Sequence, residues 1–582
     1  MARSPRLTRR QLLASLGWAG AAAAVAGPVA ACARSGSATA LVRHAASTAP
    51  AGSDLGAVEH IIFLMMENRS YDHYFGAYPK GRGFDDHPAD SLGVFAQSFP
   101  GATTLSPPNV LLPFHLDSAS GEECTDDLTH DWGPMHLCWN NGAMDSFVKV
   151  HTSATYEGAH GAMTMGYYRR DDLPFHWALA DAFTLCDRYH CSILGPTHPN
   201  RLMSISGTID PAGTRGGPVT DTNETPDVLW NCTWPTMQEV LQDAGVSWKV
   251  YHPSFADLAP KYSALAAYPT WDPALYNPTL NPEVMVVSDH VLPYFTAFRK
   301  PQSPLYQNAF TPTFPADFVR DAGSGGLPSV SWIIPPLGFD EHPSSSPANG
   351  MYFTSLVLDA LTANPQVWSK TALFLMYDEN DGWFDHVAPP TAPPGTPGEY
   401  LTASPSPILE PKSDTLGITG PLGLGVRVPA LMISPFSRGG HVVSEVFDHT
   451  SQLMLVAERF NVEVPNVSAW RRKTVGDLTS ALFSGRYDAG NPHLPVPVLP
   501  PQLLTGSCSA ENQDTETGGA APSVPTDQTM PNQQGGTDPP PGGSSPDRRH
   551  PAGRTAARTI LGPAEPRPVT LKSSYNRLAE PV

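Results

Sequence analysis

Three short segments of this chain concentrate groups suited to holding a cation and transferring a phosphoryl group. An apolar run at 58–66 ends directly in Glu67-Asn68, and a second at 372–377 ends in Asp378-Glu379-Asn380-Asp381. Carboxylates and a carboxamide at two strand ends offer the oxygen ligands that hard divalent cations prefer. The third segment is Gly195-Pro196-Thr197-His198-Pro199-Asn200-Arg201. Proline is favoured at the start of a helix, so Thr197 is expected at a helix N-terminus, where free N–H groups and the helix dipole favour an oxyanion. A threonine hydroxyl is a weak nucleophile unless a base or a bound cation stabilises its alkoxide. The plainer alternative is a helix cap, but the two acid clusters and Arg201 favour the nucleophile.

Histidines supply the remaining groups. His130 and His136 lie in the stretch 127–136, His342 in Asp340-Glu341-His342-Pro343, and His386 in Gly382-Trp383-Phe384-Asp385-His386. These polar and aromatic loops suit phosphate binding or protonation of a leaving group. Asp448-His449-Thr450-Ser451 reads as a helix start capped by Asp448, with a place in the site as the alternative.

The elements that must position these groups alternate. Apolar strand-like runs recur at 246–251, 330–334, 372–376 and 428–433, and helical patterns fall between them at 234–244, 352–363 and 449–460. Such alternation predicts an α/β/α sandwich with a mostly parallel central sheet and helices on both faces. Ligands bind beyond the carboxyl ends of such strands, where both acid clusters fall. Residues 80–160 and 208–325 read as long loop insertions that wall the site.

The chain ends differ from this middle. Thr8-Arg9-Arg10-Gln11-Leu12-Leu13 followed by an Ala/Gly stretch reads as a twin-arginine export signal over 1–32. Val29-Ala30-Ala31-Cys32 resembles a lipoprotein cleavage box, which would place a lipid anchor on Cys32; ordinary cleavage is the alternative. Residues 33–55 read as a linker, 56–504 as the catalytic domain, and 505–582 as a disordered tail rich in Gly, Pro and Ser. Among the seven cysteines, Cys124 with Cys138 and Cys186 with Cys191 are plausible local pairs in an exported protein. No Cys-x-x-Cys pair argues for a zinc ribbon. A formal net charge of -19 excludes the basic footprint of a nucleic-acid binder and gives no general attraction to anionic membranes.

Taken together, the run from Glu67 to Gly76 resembles the opening signature of the bacterial phospholipase C/acid phosphatase family. The segments 172–183 and 195–201, the run Tyr377-Asp378-Glu379-Asn380-Asp381-Gly382, and Ser434-Pro435-Phe436 fit the same family. The resemblance spans roughly 56–490 and implies an alkaline-phosphatase-like fold. It implies one divalent metal ion on Glu67, Asn68, Asp378 and Glu379, joined by the nucleophile Thr197. It implies phosphate-facing roles for His130 and His342, with His136, His386 and Arg201 as further catalytic candidates. The expected activity is an exported phospholipase C. It would cleave phosphatidylcholine-type lipids at a membrane surface through a phosphothreonine, using the twin-arginine machinery for export and no stable protein partner. Alternatives are an acid phosphatase on monoesters and a non-catalytic surface-binding lipoprotein. A sulfatase ranks lower, because threonine stands where that class carries Cys or Ser. Larger family members carry C-terminal β-domains, in place of which this chain has its polar tail.

Overall fold

The computed structural model describes residues 38–88, 91–153, 161–222, 230–253, 289–335, 339–343, 345–403, 417–484 and 523–534. The export signal and Cys32 lie outside these residues. Eight strands form the main sheet: β1 (His60–Met66), β2 (Thr184–Cys186), β3 (Trp248–Pro253), β4 (Thr313–Phe314), β5 (Val330–Ile333), β6 (Thr371–Tyr377), β7 (Ala430–Ile433) and β8 (His441–Val443). Their order is β8-β2-β7-β6-β1-β5-β3-β4. Only β7 runs against the others in this sheet. The longest strands, β1 and β6, lie side by side, and both are apolar and buried almost throughout. That is the signature of a parallel strand covered on both faces.

The helices used below are α1 (Ala38–Ser47), α2 (Tyr71–Phe75), α3 (Trp132–Trp139), α4 (Pro174–Ala182), α5 (Thr197–Ser206), α6 (Met237–Asp243), α7 (Pro347–Thr362) and α8 (His449–Phe460). Helices α5, α6 and α8 pack together, as do α1, α4 and α7. Alternation along β3 separates the two layers. Val250 faces a cavity lined by α5, α6 and α8, while Tyr251 packs on Phe318, whose helix packs on α7. The sandwich expected from the alternating pattern is therefore present.

The differences have physical reasons. Strands β2, β4 and β8 are only two or three residues long, too short to show a period. Part of the supposed linker is helix α1, which buries Val42, Ala45 and Ala46. Its small residues let it pack closely, and Trp368 Nε1 and Arg438 Nη1 donate to the carbonyls of Ala45 and Ala46 at 2.9 and 2.8 Å. Part of the supposed disordered tail, 523–534, is held against the body. Ser106 N donates to Thr526 O, Gln528 Nε2 to Val110 O and Gln533 Nε2 to Tyr78 O, at 2.8, 2.9 and 2.6 Å. Main-chain groups of the body satisfy this segment, which composition does not reveal. The local disulfides are not made: Cys138, Cys186 and Cys191 are free and buried. Cys124 is disulfide-bonded, but not to Cys138, which is free. No helix among the described residues is long and apolar enough to cross a membrane.

Candidate active site

Parallel pairing of β1 with β6 aligns Met66 with Tyr377, so Glu67 and Asp378 leave the same sheet edge side by side. Backbone bonds continue the alignment: Asp378 N donates to Met66 O and Arg69 N to Glu379 O, at 3.1 and 3.0 Å. The Asp378 carboxyl is clamped by two amides, Asn68 N and Glu379 N, at 3.2 and 2.8 Å. Asn68 turns the chain with φ +60°, a conformation asparagine tolerates better than most residues. The third neighbouring strand end joins through Glu67 N, which donates to Asp340 O at 2.7 Å. That bond brings the loop holding His342 to the same edge.

Helix α5 delivers Thr197 and Arg201. Pro196 occupies the cap position and Thr197 opens the helix. Asn200 staples the preceding loop: its Oδ1 accepts from Ser192 N and Ile193 N at 2.9 and 2.8 Å, and its Nδ2 donates to Gly195 O at 2.9 Å. One turn beyond Thr197, Arg201 donates from Nε to Asp378 Oδ2 at 3.1 Å and from Nη2 to Glu67 Oε1 at 3.2 Å. The Thr197 hydroxyl is fully buried and has no hydrogen-bond partner, so it is not a cap. The Asn68 side-chain amide is likewise buried without a partner.

The histidines divide. His130 Nδ1 lies 2.8 Å from Asp381 Oδ1, and its Nε2 lies 3.6 Å from Glu379 Oε1. Burial alone would lower its pKa, but Glu379, Asp381 and Asp127 outweigh that and hold it well above the usual value. His342 Nε2 lies 3.9 Å from Glu67 Oε2, and the rings of His130 and His342 are 6.2 Å apart. The other two sequence candidates are not brought to this cluster. Both ring nitrogens of His136 lie against carbonyls, Trp132 O at 2.7 Å and Pro421 O at 2.8 Å, inside the packing of α3. His386 sits in a separate buried network, with Nδ1 2.6 Å from Asp72 Oδ2 and Arg427 bridging Asp72 and Asp385. Spacing alone does not separate a histidine that faces a cavity from one consumed by internal bonds.

Sequence reading also missed groups. Asp381 and Asp127 engage His130, and Asp289 and Asp340 lie beside Glu67. Asp340 and Asp381 stand within motifs already singled out, whereas Asp289 had no such flank. His449 is the first residue of α8, whose cap is Asp448. Its Nε2 lies 2.6 Å from Asp378 O and its Nδ1 3.1 Å from Tyr189 OH, so it braces the turn behind the acid cluster.

Glu67, Asp378 and Glu379 are fully buried, and burying charge without compensation is costly. Burial foremost, and then Asp378 and Asp381, push the Glu379 carboxyl well above its usual range. An oxygen-rich set of buried carboxyls, with an unpartnered carboxamide and hydroxyl beside it, fits a hard divalent cation. The same set leaves an unpartnered hydroxyl, a group able to attack a phosphoryl centre, beside an arginine paired with Asp378 and Glu67.

An open α/β sheet with such a site at its strand ends defines a hydrolase of phosphoric esters. A family model described as the Phosphoesterase family matches residues 58–463, and the chain belongs to that family. It is similar to Phospholipase C A of Mycobacterium tuberculosis, at 41% identity over 550 residues covering 92% of this chain and 98% of that protein. It is also similar to the non-hemolytic phospholipase C of Burkholderia pseudomallei, at 42% over 452 residues covering 75% of this chain and 61% of that protein. The hemolytic phospholipase C of Pseudomonas aeruginosa is 38% identical over 445 residues, covering 74% of this chain and 57% of that protein.

Proposed function

We propose that the chain is an exported, metal-dependent phospholipase C that cleaves phosphatidylcholine-type lipids into diacylglycerol and a phosphorylated head group. The observation that carries this reading is the Thr197 hydroxyl: buried, without a hydrogen-bond partner, and one turn from an arginine that ties Glu67 to Asp378. The relatives' names favour a phosphodiester lipid over a monoester. The arginine pair and the apolar Ala/Gly stretch after it support export, and the Cys32 box supports a lipid anchor.

Glu67, Asn68, Asp378 and Glu379, with the Thr197 oxygen, would hold one divalent ion. Such an ion lowers the pKa of a bound hydroxyl and neutralises phosphoryl charge. Thr197 attacks phosphorus in line, forming a phosphothreonine as the bond to the diacylglycerol oxygen breaks. His342 or His130 protonates that oxygen. Water then attacks the phosphothreonine, releases the phosphorylated head group and restores the hydroxyl. Arg201 ties the two acids together in register throughout.

Replacing Thr197 with alanine tests the assignment. The variant is expected to keep its thermal unfolding transition and to lose hydrolysis of phosphatidylcholine. Turnover near the wild-type rate would refute Thr197 as nucleophile. Wild-type cleavage of p-nitrophenyl phosphate without cleavage of phosphatidylcholine would favour the monoesterase instead.

A further inference from the structure

Between the sheet and helices α5, α6 and α8 lies a small cavity of about 40 Å³. That space admits a few heavy atoms of a ligand and no length of acyl chain. Its walls are hydrocarbon: Phe63 and Met65 from β1, Val250 from β3, Trp332 from β5, and Leu292 and Ile334 beyond them. The strand residues share one sheet face through the pairings Phe63–Trp332 and Val250–Trp332. Ile62 and Leu64, on the opposite face of β1, are sealed at 0% exposure, whereas Met65, Trp332 and Ile334 retain 7–8%.

The cavity also has polar walls. Arg201 and Asp289 line it, and this is the arginine that binds Asp378 and Glu67. Thr197, four residues earlier, shares its helix face. Gln238 also lines the cavity and is 1% exposed, yet neither its Oε1 nor its Nε2 has a hydrogen-bond partner. The Trp332 indole Nε1 has none either. Buried polar groups are nearly always paired, so two orphaned donors among apolar walls point to a ligand that is hydrocarbon with an embedded acceptor.

We propose that this cavity receives the ester carbonyl of one acyl chain of the departing diacylglycerol, with Gln238 Nε2 and Trp332 Nε1 donating to it. This rests on the phospholipase reading above. A quaternary ammonium head group is the poorer occupant. It has no acceptor for the N–H groups of Gln238 and Trp332, and Asp289 is already 3.6 Å from the Arg201 guanidinium.

The test compares kcat/KM on monomeric dihexanoylphosphatidylcholine with kcat/KM on p-nitrophenylphosphorylcholine, which has the same head group but no acyl ester. The variants are Gln238→Met and Trp332→Phe, which keep shape and remove one donor each. The expected result is a fall of about tenfold in the lipid-to-chromogen ratio in each variant, the weight of one neutral hydrogen bond. An unchanged ratio in both folded variants overturns the proposal. Should both variants fail to fold, the wild-type enzyme decides. Its kcat/KM must fall from dihexanoylphosphatidylcholine to the matching diether lipid, which lacks the carbonyl, and equal values overturn the proposal. Wild-type enzyme that cleaves only the chromogen instead refutes the phospholipase reading.

Discussion

Substituting Gly350 with alanine inside α7 would normally stabilise a helix by about 1 kcal/mol. Here the opposite is expected. A Cβ at position 350 would lie 2.0 Å from Glu341 Cγ and 2.1 Å from its Oε1. Glu341 is fully buried and cannot swing clear, because its carboxyl is held from three elements. Tyr74 OH of α2 and Tyr377 OH of β6 each donate to Oε2 at 2.7 Å, and His176 Nε2 of α4 lies 2.8 Å from Oε1. Its carbonyl accepts from Arg69 Nε at 2.8 Å, and its backbone sits at φ +70°. Overpacking costs about 1–3 kcal/mol, and each displaced hydrogen bond adds about 1 kcal/mol. After the helical gain, Gly350→Ala should destabilise by about 3 kcal/mol, read as a lower urea midpoint at unchanged slope. Asp340 and His342 flank Glu341, so kcat/KM should fall about 100-fold, the scale of a 1 Å misplacement. In a Glu341→Ala background the penalty should vanish, because the clash is gone. Gly350→Ala with wild-type stability and turnover would refute the idea that Glu341 pins the site loop.

Other outcomes follow from the same geometry. Chelation with EDTA should abolish hydrolysis and lower the unfolding temperature, and a divalent cation at 100 times its Kd should restore about 2.7 kcal/mol; activity indifferent to chelation would remove the cation site. Arg201→Lys keeps charge but loses the fork that reaches Glu67 and Asp378 together, so kcat/KM should fall about 100-fold with an unchanged circular dichroism spectrum. Burial pushes His449 down to about 4 and His190 down to about 3. Because these folded-state values are depressed, the unfolded chain binds more protons below pH about 6.5. Stability should therefore be full at neutral pH and lost as pH falls from there toward 3, with His449 alone contributing on the order of 3 kcal/mol. A urea midpoint that stays flat from pH 7 to pH 4 would contradict this.

Residue order alone carried the sheet's central strands, because 58–66 and 372–377 read as apolar runs and each is followed by acids. It carried the start of α5 through its prolines and the whole of α8, whose bounds match the expected 449–460. It also marked Glu67, Asn68, Thr197, Asp378 and Glu379 as one chemical set, since a site at strand ends lies next to local signals. Only the folded chain decided which histidines face that set. His130 meets Glu379 and Asp381, while His136 is spent on two carbonyls and His386 on an aspartate network. It alone placed Asp289 beside Glu67 and packed an alanine-rich segment into α1. It also left Cys138, Cys186 and Cys191 unpaired. The reason is one of range. Strand runs, caps and helix starts are settled by neighbours a few residues away, whereas a side chain's partner is settled by segments hundreds of residues distant that meet only when the sheet assembles.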